Sequence, residues 1–234
     1  MKKTKNNLLI RHILTSYNDR KGRAKFIKNQ FKKQLEEASS ILDIGCDNNE
    51  LKQTWGNKVT GIDIDGSPDF KVNLEKEKLS RFKNDSFETL VCTDVLEHID
   101  NFYAVLDDMV RVSNKRIIIS LPNCSHIFRI IPVVFGKSSG KFYGLPHTPP
   151  TDRHKWFFNW RELHSFFHYY AKKNNLTIES EFLSYGYPPV RRFLLKILSI
   201  FIPTTTFAQG YWIVISNTKN LSPTTKYLPH RSEN

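Results

Sequence analysis

Cysteine is scarce in this chain, and long apolar runs are missing. Cys46, Cys92 and Cys124 are too few and too widely spaced for a disulfide framework or a zinc knuckle. No apolar run approaches the ~20 residues of a membrane-spanning helix. The longest, at 127–135 and 193–202, are about half that length and contain Arg129, Pro132 or Lys196. The opening residues, Met1, Lys2 and Lys3 with Asn6 and Asn7, lack the apolar stretch of a signal peptide. There is no internal repeat. An apolar share of 39% excludes wholesale disorder. What remains is a reduced, cytoplasmic, enzyme-sized protein of 234 residues, one ordinary domain with extensions.

Charge is present in excess but unevenly. Residues 1–37 hold 11 lysines and arginines against 3 acids, residues 38–126 hold 10 against 15, and residues 127–234 hold 14 against 5. An acidic middle argues against a uniformly basic nucleic-acid coat. Basic ends suit phosphates or an anionic membrane face, although a Lys/Asn-rich composition also leaves many lysines simply solvated.

Periodicity supplies the architecture. Phe26, Ile27, Phe31 and Leu35 predict an amphipathic helix over 23–37. Short β-rich runs at 40–46, 58–64, 70–74, 87–93 and 116–121 predict five strands. Helices are expected near 50–55 and over 101–112. Strands and helices alternating at this pitch predict an α/β, doubly wound, mostly parallel sheet. After Pro122 the texture changes, with 12 aromatics in 127–172 and a loop holding Pro146, Pro149 and Pro150. Asn159 and Glu162 read as the capping pair of a helix carrying Leu163, Phe166, Phe167, Tyr170 and Ala171. Two more strands are expected at 176–182 and 211–216. Between them Val190, Phe193, Leu194, Ile197, Leu198 and Phe201 mark a second amphipathic helix. The polar tail from Ser222 is expected to fray. This gives a basic helical segment (1–39), a cofactor core (40–125), an insertion with a helix (126–175), C-terminal strands with an amphipathic helix (176–221) and a tail (222–234).

Asp43-Ile44-Gly45-Cys46 closes the first core strand, and Asp63 closes the second, 20 residues later. In a wound sheet the ligand sits over the carboxyl ends of the strands, where a small residue admits it and an acid accepts from its ribose hydroxyls. A dinucleotide needs G-x-G-x-x-G. Here the run is Gly-Cys-Asp-Asn-Asn-Glu, with one glycine, and Asp47 would repel a pyrophosphate but tolerate a cationic cofactor.

LDIGCDNNEL, VTGIDID, DSFETLVCTDVLEHI and MVRVSNKRIIISLPN follow one another in the chain. Together they resemble the class I S-adenosylmethionine (SAM)-dependent methyltransferases. More narrowly, they are similar to small bacterial members with a Leu-Glu-His signature, which modify glycans, quinones or metabolites. The likeness spans roughly 23–125, with a looser echo in GLPHTPPTDRHKWFFNW. It implies a seven-stranded Rossmann-like sheet, a helical aromatic-rich insertion after strand five, and SAM as cofactor. Carried over, Asp43, Gly45, Cys46 and Asp47 would lie along SAM. Asp63 would grip the ribose, and Ile64, Asn73 and Leu74 would border the adenine. Thr93 and Asp94 would face the sulfonium. Asp47 and Asn49 stand where the family prefers glycine, and both residue types tolerate a left-handed backbone.

His98, following strand four, is a candidate base near neutral pH, or a cap on that strand. His154 is a second. Asp94, Glu97 and His98 resemble signatures that hold a divalent metal in some RNA and quinone methyltransferases, with His126, His147 or His154 able to join. His126, Asp152, Arg153 and Trp156 are candidates for acceptor binding, since a guanidinium forks to oxygens and a ring stacks on a sugar; the neighbouring Phe157, Phe158 and Trp160 could equally pack the insertion. Arg191, Arg192 and Lys196 beside an apolar helix face suit an anionic membrane surface on the inner face, or a core contact. The expected activity is O-methylation of a sugar, glycan or lipid-linked intermediate. The alternatives are a metal-assisted RNA or small-metabolite methyltransferase, and a binding subunit whose cofactor loop has decayed.

Overall fold

The computed structural model describes residues 10–15, 17, 19–138, 142–145, 147–148 and 153–217. Along them run β1 (Arg11–Leu14), α1 (Arg20–Gln30), α2 (Lys32–Glu37), β2 (Ile41–Ile44), α3 (Lys52–Trp55), β3 (Val59–Asp63), β4 (Phe70–Lys71) and β5 (Phe87–Thr93). Then come α4 (Phe102–Val112), β6 (Ser113–Pro122), α5 (Ile127–Val134), α6 (Trp160–Lys173), β7 (Leu176–Tyr185), α7 (Pro189–Leu198) and β8 (Gly210–Asn217).

All eight strands join one sheet in the order β1-β7-β8-β6-β5-β2-β3-β4, and only β8 runs antiparallel to its neighbours. The central strands are apolar on both sides, which demands a helical layer on each. Leu90 and Cys92 of β5, Ile117 and Ile119 of β6, and Ile213 and Ile215 of β8 pack toward α4 and α6. The alternate residues Val91, Ile118, Trp212 and Val214 pack toward Ala24 and Ile27 of α1, Phe31 at the break and Leu35 of α2. The period of two along each strand thus builds both cores. Strand order reverses between β5 and β2, which opens a crevice at their carboxyl ends.

Several expectations are corrected. The sheet has eight strands, not seven, because Arg11–Leu14 pairs in parallel with β7 at the edge. The helix expected over 23–37 starts at Arg20, where Asp19 accepts from the Gly22 N–H at 2.7 Å, and breaks at Phe31. The strand expected over 70–74 shrinks to Phe70–Lys71, because Asn73 turns the chain and its side-chain oxygen accepts from the Glu75 N–H at 3.0 Å. α5 was not anticipated. Asn159 and Glu162 do form a reciprocal capping box on α6. The side chains of Val190, Arg192, Phe193 and Leu194, the prolines at 146, 149 and 150, the first nine residues and the tail lie outside the described residues.

Candidate functional site

The crevice at the β2/β5 switch is a cleft of about 400 Å³. Asp43, Gly45, Cys46 and Asp47 line it from β2 and its loop, Thr93 from β5, and Arg20, Arg23 and Ile27 from α1. The loop after β2 folds back on itself, with Gly45, Asp47 and Asn49 at φ of 76°, 50° and 56°. Asp47 and Asn49 therefore occupy the left-handed conformations expected of family glycines. A side chain on Gly45 would collide with Val95, so the backbone there stays bare. Asn49 donates from its side chain to Ser67 O at 2.8 Å, and the Ser67 N–H donates to Asp47 O at 2.8 Å, bracing the loop against the segment after β3.

Asp63 is the pivot of that brace. Its Oδ2 accepts from the Asp47 N–H at 2.8 Å, and its Oδ1 from the Ile64 and Asp65 N–H groups at 2.7 and 3.2 Å. It lies behind the loop and does not line the cleft itself. Ile64 is 57% exposed, and neither it, Asn73 nor Leu74 borders the cleft. Asp43 is buried on the cleft floor. Burial pushes its carboxyl up to about 7, Arg23 opposes the rise and Asp63 adds to it. Burial likewise pushes the Cys46 thiol up to about 12, so it is no nucleophile at neutral pH.

Two arginines escaped the reading of the sequence. Arg23 bonds Asp94 Oδ2 at 2.6 Å, and Arg20 bridges Asp47 at 3.0 Å. Asp94 also accepts from the Ser120 hydroxyl at 2.8 Å, so its carboxylate belongs to Arg23 and β6. The signal for them was Asp19, a good cap directly before Arg20.

A second cluster follows β5 directly. Glu97 is buried, and its Oε1 lies 3.9 Å from Nε2 of both His98 and His154. The two imidazole rings meet edge to face at 4.7 Å. His98 Nδ1 lies 3.1 Å from Arg153 O, and a carbonyl only accepts, so Nδ1 carries the proton. His154 Nδ1 lies 2.9 Å from the Tyr143 hydroxyl, which also lies 3.1 Å from Trp156 O and 2.7 Å from Cys124 Sγ. The Nε2 atoms of both rings face the carboxylate, and in His98 that nitrogen is the basic one. Among the described residues Glu97, His98 and His154 are close enough to share one cation, whereas Asp94 is turned to Arg23. His147 is exposed and outside that group.

On the acceptor side, Trp156 donates its indole N–H to Ile99 O at 2.7 Å and stacks on Phe158, packing the insertion onto the core. Arg153 is exposed. His126 is buried, its Nε2 accepting from Arg129 Nε at 3.2 Å, and burial with the Arg129 charge pushes it down to about 4. The Arg129 guanidinium lies over the rings of Phe142 and Tyr143 at 5.7 and 5.8 Å. Asp152 lies outside the described residues.

A family described as a methyltransferase domain matches residues 16–180. No curated protein is similar enough in sequence to match. The fold is similar to that of a SAM-dependent methyltransferase from Archaeoglobus fulgidus, at 17% identity over 83% of this chain and 94% of the other, with a TM-score of 0.50. It is similar to a SAM-dependent methyltransferase from Methanosarcina mazei, at 16% identity over 80% and 96%, with a TM-score of 0.51. Magnesium protoporphyrin IX methyltransferase from Synechocystis PCC 6803, solved with S-adenosylhomocysteine, matches at 12% identity over 84% and 83%, with a TM-score of 0.51.

Proposed function

The chain belongs to the methyltransferase-domain family and is a SAM-dependent enzyme, and on that premise we propose that it methylates a hydroxyl of a sugar, glycan or lipid-linked acceptor. The residues of the cleft fit the cofactor. Its volume, about 400 Å³, is within the range of small-molecule sites. SAM carries a carboxylate, an ammonium and a sulfonium, and the cleft offers both signs of charge. Arg20 and Arg23 suit the carboxylate, while Asp43 and Asp47 suit the cations. Gly45 allows the ligand to approach the backbone. Asp63 has three of its roughly four acceptor positions occupied by loop N–H groups, so it holds the loop and retains one for a ribose hydroxyl. When bound, SAM supplies a methyl group already activated for transfer.

The protein must then orient the acceptor and take its proton. The observation that carries this part is the convergence of His98 Nε2 and His154 Nε2 on buried Glu97. The Arg153 carbonyl accepts from His98 Nδ1, so His98 Nε2 is the ring atom open to a proton from the acceptor, and the Tyr143 contact orients the His154 ring. Arg129 and Arg153, with Phe142 and Tyr143 nearby, supply guanidinium donors and ring faces for a sugar or a phosphate linker.

SAM titration by calorimetry and transfer of labelled methyl to glycan and lipid-linked sugar extracts test the reading. Arg23→Ala and Asp63→Ala are expected to weaken SAM binding, and His98→Asn to cut turnover by about 10²-fold or more with SAM affinity retained. Unlabelled acceptors throughout, or SAM affinity indifferent to both the Arg23 and the Asp63 variant, would overturn it. The Glu97, His98 and His154 cluster also favours a second reading, in which a divalent cation sits there and positions the acceptor oxygen. Activity abolished by a chelator and restored by magnesium or manganese would select that reading.

A further inference from the structure

Four strands along the sheet from β2, a separate set of metal-binding side chains meets on α6 and β7. His164 and His168 stand four residues apart on α6, so both imidazoles leave the same helix face. That face lies on β7, where Glu181 rises to meet them. His164 Nδ1 is 2.9 Å from Glu181 Oε2, and His168 Nε2 is 3.4 Å from Glu181 Oε1. The two rings are 4.0 Å apart, and the three donor atoms lie within 4.8 Å of one another. From beneath, the buried Tyr211 hydroxyl donates to Glu181 Oε2 at 2.7 Å and fixes the carboxylate.

Both imidazoles direct a ring nitrogen at the one carboxylate, so three donor atoms of metal-binding type converge on one point. A single dication satisfies all three groups. Tetrahedral zinc with nitrogen and oxygen ligands at about 2.0–2.1 Å separates its donors by about 3.4 Å, close to the spacings found here. The His168 side chain is 47% exposed, against 16% for each of the others, so one side is open for an ion to enter and for a water to complete the coordination.

We propose that His164, His168 and Glu181 form a zinc site that clamps α6 to the sheet. The site stands independently of the methyl-transfer reading. Because α6 begins directly after the 153–159 segment that carries Arg153 and His154, the clamp fixes the middle of the helix that follows that segment. Two imidazoles and a carboxylate form a donor set suited to zinc rather than to magnesium or calcium, which prefer oxygen.

The test uses the full chain stripped with a chelator and titrated with Zn²⁺ by calorimetry, then with Co²⁺ by visible absorption. Three proteins are compared: wild type, the double variant His164→Gln/His168→Gln, and Glu97→Gln/His98→Gln, which removes the other possible cation site. Wild type and the Glu97/His98 variant are expected to bind a zinc equivalent, show a tetrahedral cobalt band and melt higher with zinc. In the α6 double variant that equivalent weakens by about a hundredfold or more, and the band and the melting shift disappear. SAM affinity stays unchanged in it. Should the double variant not fold, exposed His168→Gln alone carries the test, with the same loss expected. A wild type without a zinc equivalent, or an equivalent that persists when the α6 histidines are replaced, overturns the proposal.

Discussion

Asp43 is the residue on which cofactor affinity should depend most sharply on pH. Its carboxyl sits on the cleft floor, and burial raises it from the ordinary carboxylate range to about 7. The folded chain therefore holds a proton there that the unfolded chain gives up near pH 4. The stability linked to this group is present at low pH and is lost as pH rises through the window from about 4 to 7. Cofactor binding has the opposite sign, because the ionised carboxylate attracts the ammonium and sulfonium of SAM and the neutral acid does not. We expect SAM affinity, followed by calorimetry, to rise several-fold between pH 6 and 8, roughly the interval in which the group ionises. Asp43→Asn should flatten that rise and bind more weakly at pH 8, while melting less steeply with pH. An unchanged slope in the variant would mean that another group governs it. His126 has no part in the rise, since its lowered titration near pH 4 keeps it neutral across this range.

At the scale of elements, α6 offers the cleanest local test. Asn159 accepts from the Glu162 N–H at 3.0 Å, and Glu162 accepts from the Asn159 N–H at 3.3 Å. Asn159→Ala should cost about 1 kcal/mol in chemical denaturation, with SAM affinity unchanged. That capping box was legible because it is written in neighbouring residues. The same holds for the core strands, the loop after β2 and the acids at the strand ends. Asp47 and Asn49 stand where the resembled family prefers glycine and are of types that tolerate a left-handed backbone, and they are found in it. What could not be read depends on contacts far apart in the chain. β1 has only four residues and no apolar alternation, and it exists as a strand because β7 offers an edge. Arg20 and Arg23 enter the cleft because the α1/α2 layer packs over β2 and β5, which periodicity does not orient. Asp94 looked like a metal or sulfonium ligand until Arg23, 71 residues away, took its carboxylate. Glu97 and His98 were legible as a pair from their spacing, and folding decides that His154, rather than His126 or His147, joins them.

For the whole molecule, the charge asymmetry gains meaning from where apolar side chains surface. Among the described residues no helix is long and apolar enough to cross a membrane. Yet α5 ends in Val134 and Phe135, and α7 is followed by Ile200 and Phe201, all about three-quarters exposed. The two helices are neighbours, since Phe128 of α5 packs on Tyr187 and the Arg191 guanidinium of α7 lies 5.8 Å from its ring. Leu195 turns inward from α7 while Lys196 and Ile197 face out, so the helix both closes the core and presents a mixed basic and apolar edge. Apolar tips with cations beside them match the boundary between headgroups and acyl chains, where a lipid-linked acceptor would be met. We therefore expect the protein to sediment with vesicles containing anionic lipid, to be released by salt, and to bind neutral vesicles poorly. Burying a large apolar side chain is worth about 1.5–3 kcal/mol, so Phe135→Ser with Phe201→Ser should weaken vesicle binding at least about tenfold. Methyl transfer to a water-soluble fragment of the acceptor should be spared, because neither residue touches the cleft. If anionic vesicles leave the protein in the supernatant, the exposed tips serve another contact and the acceptor is met in solution.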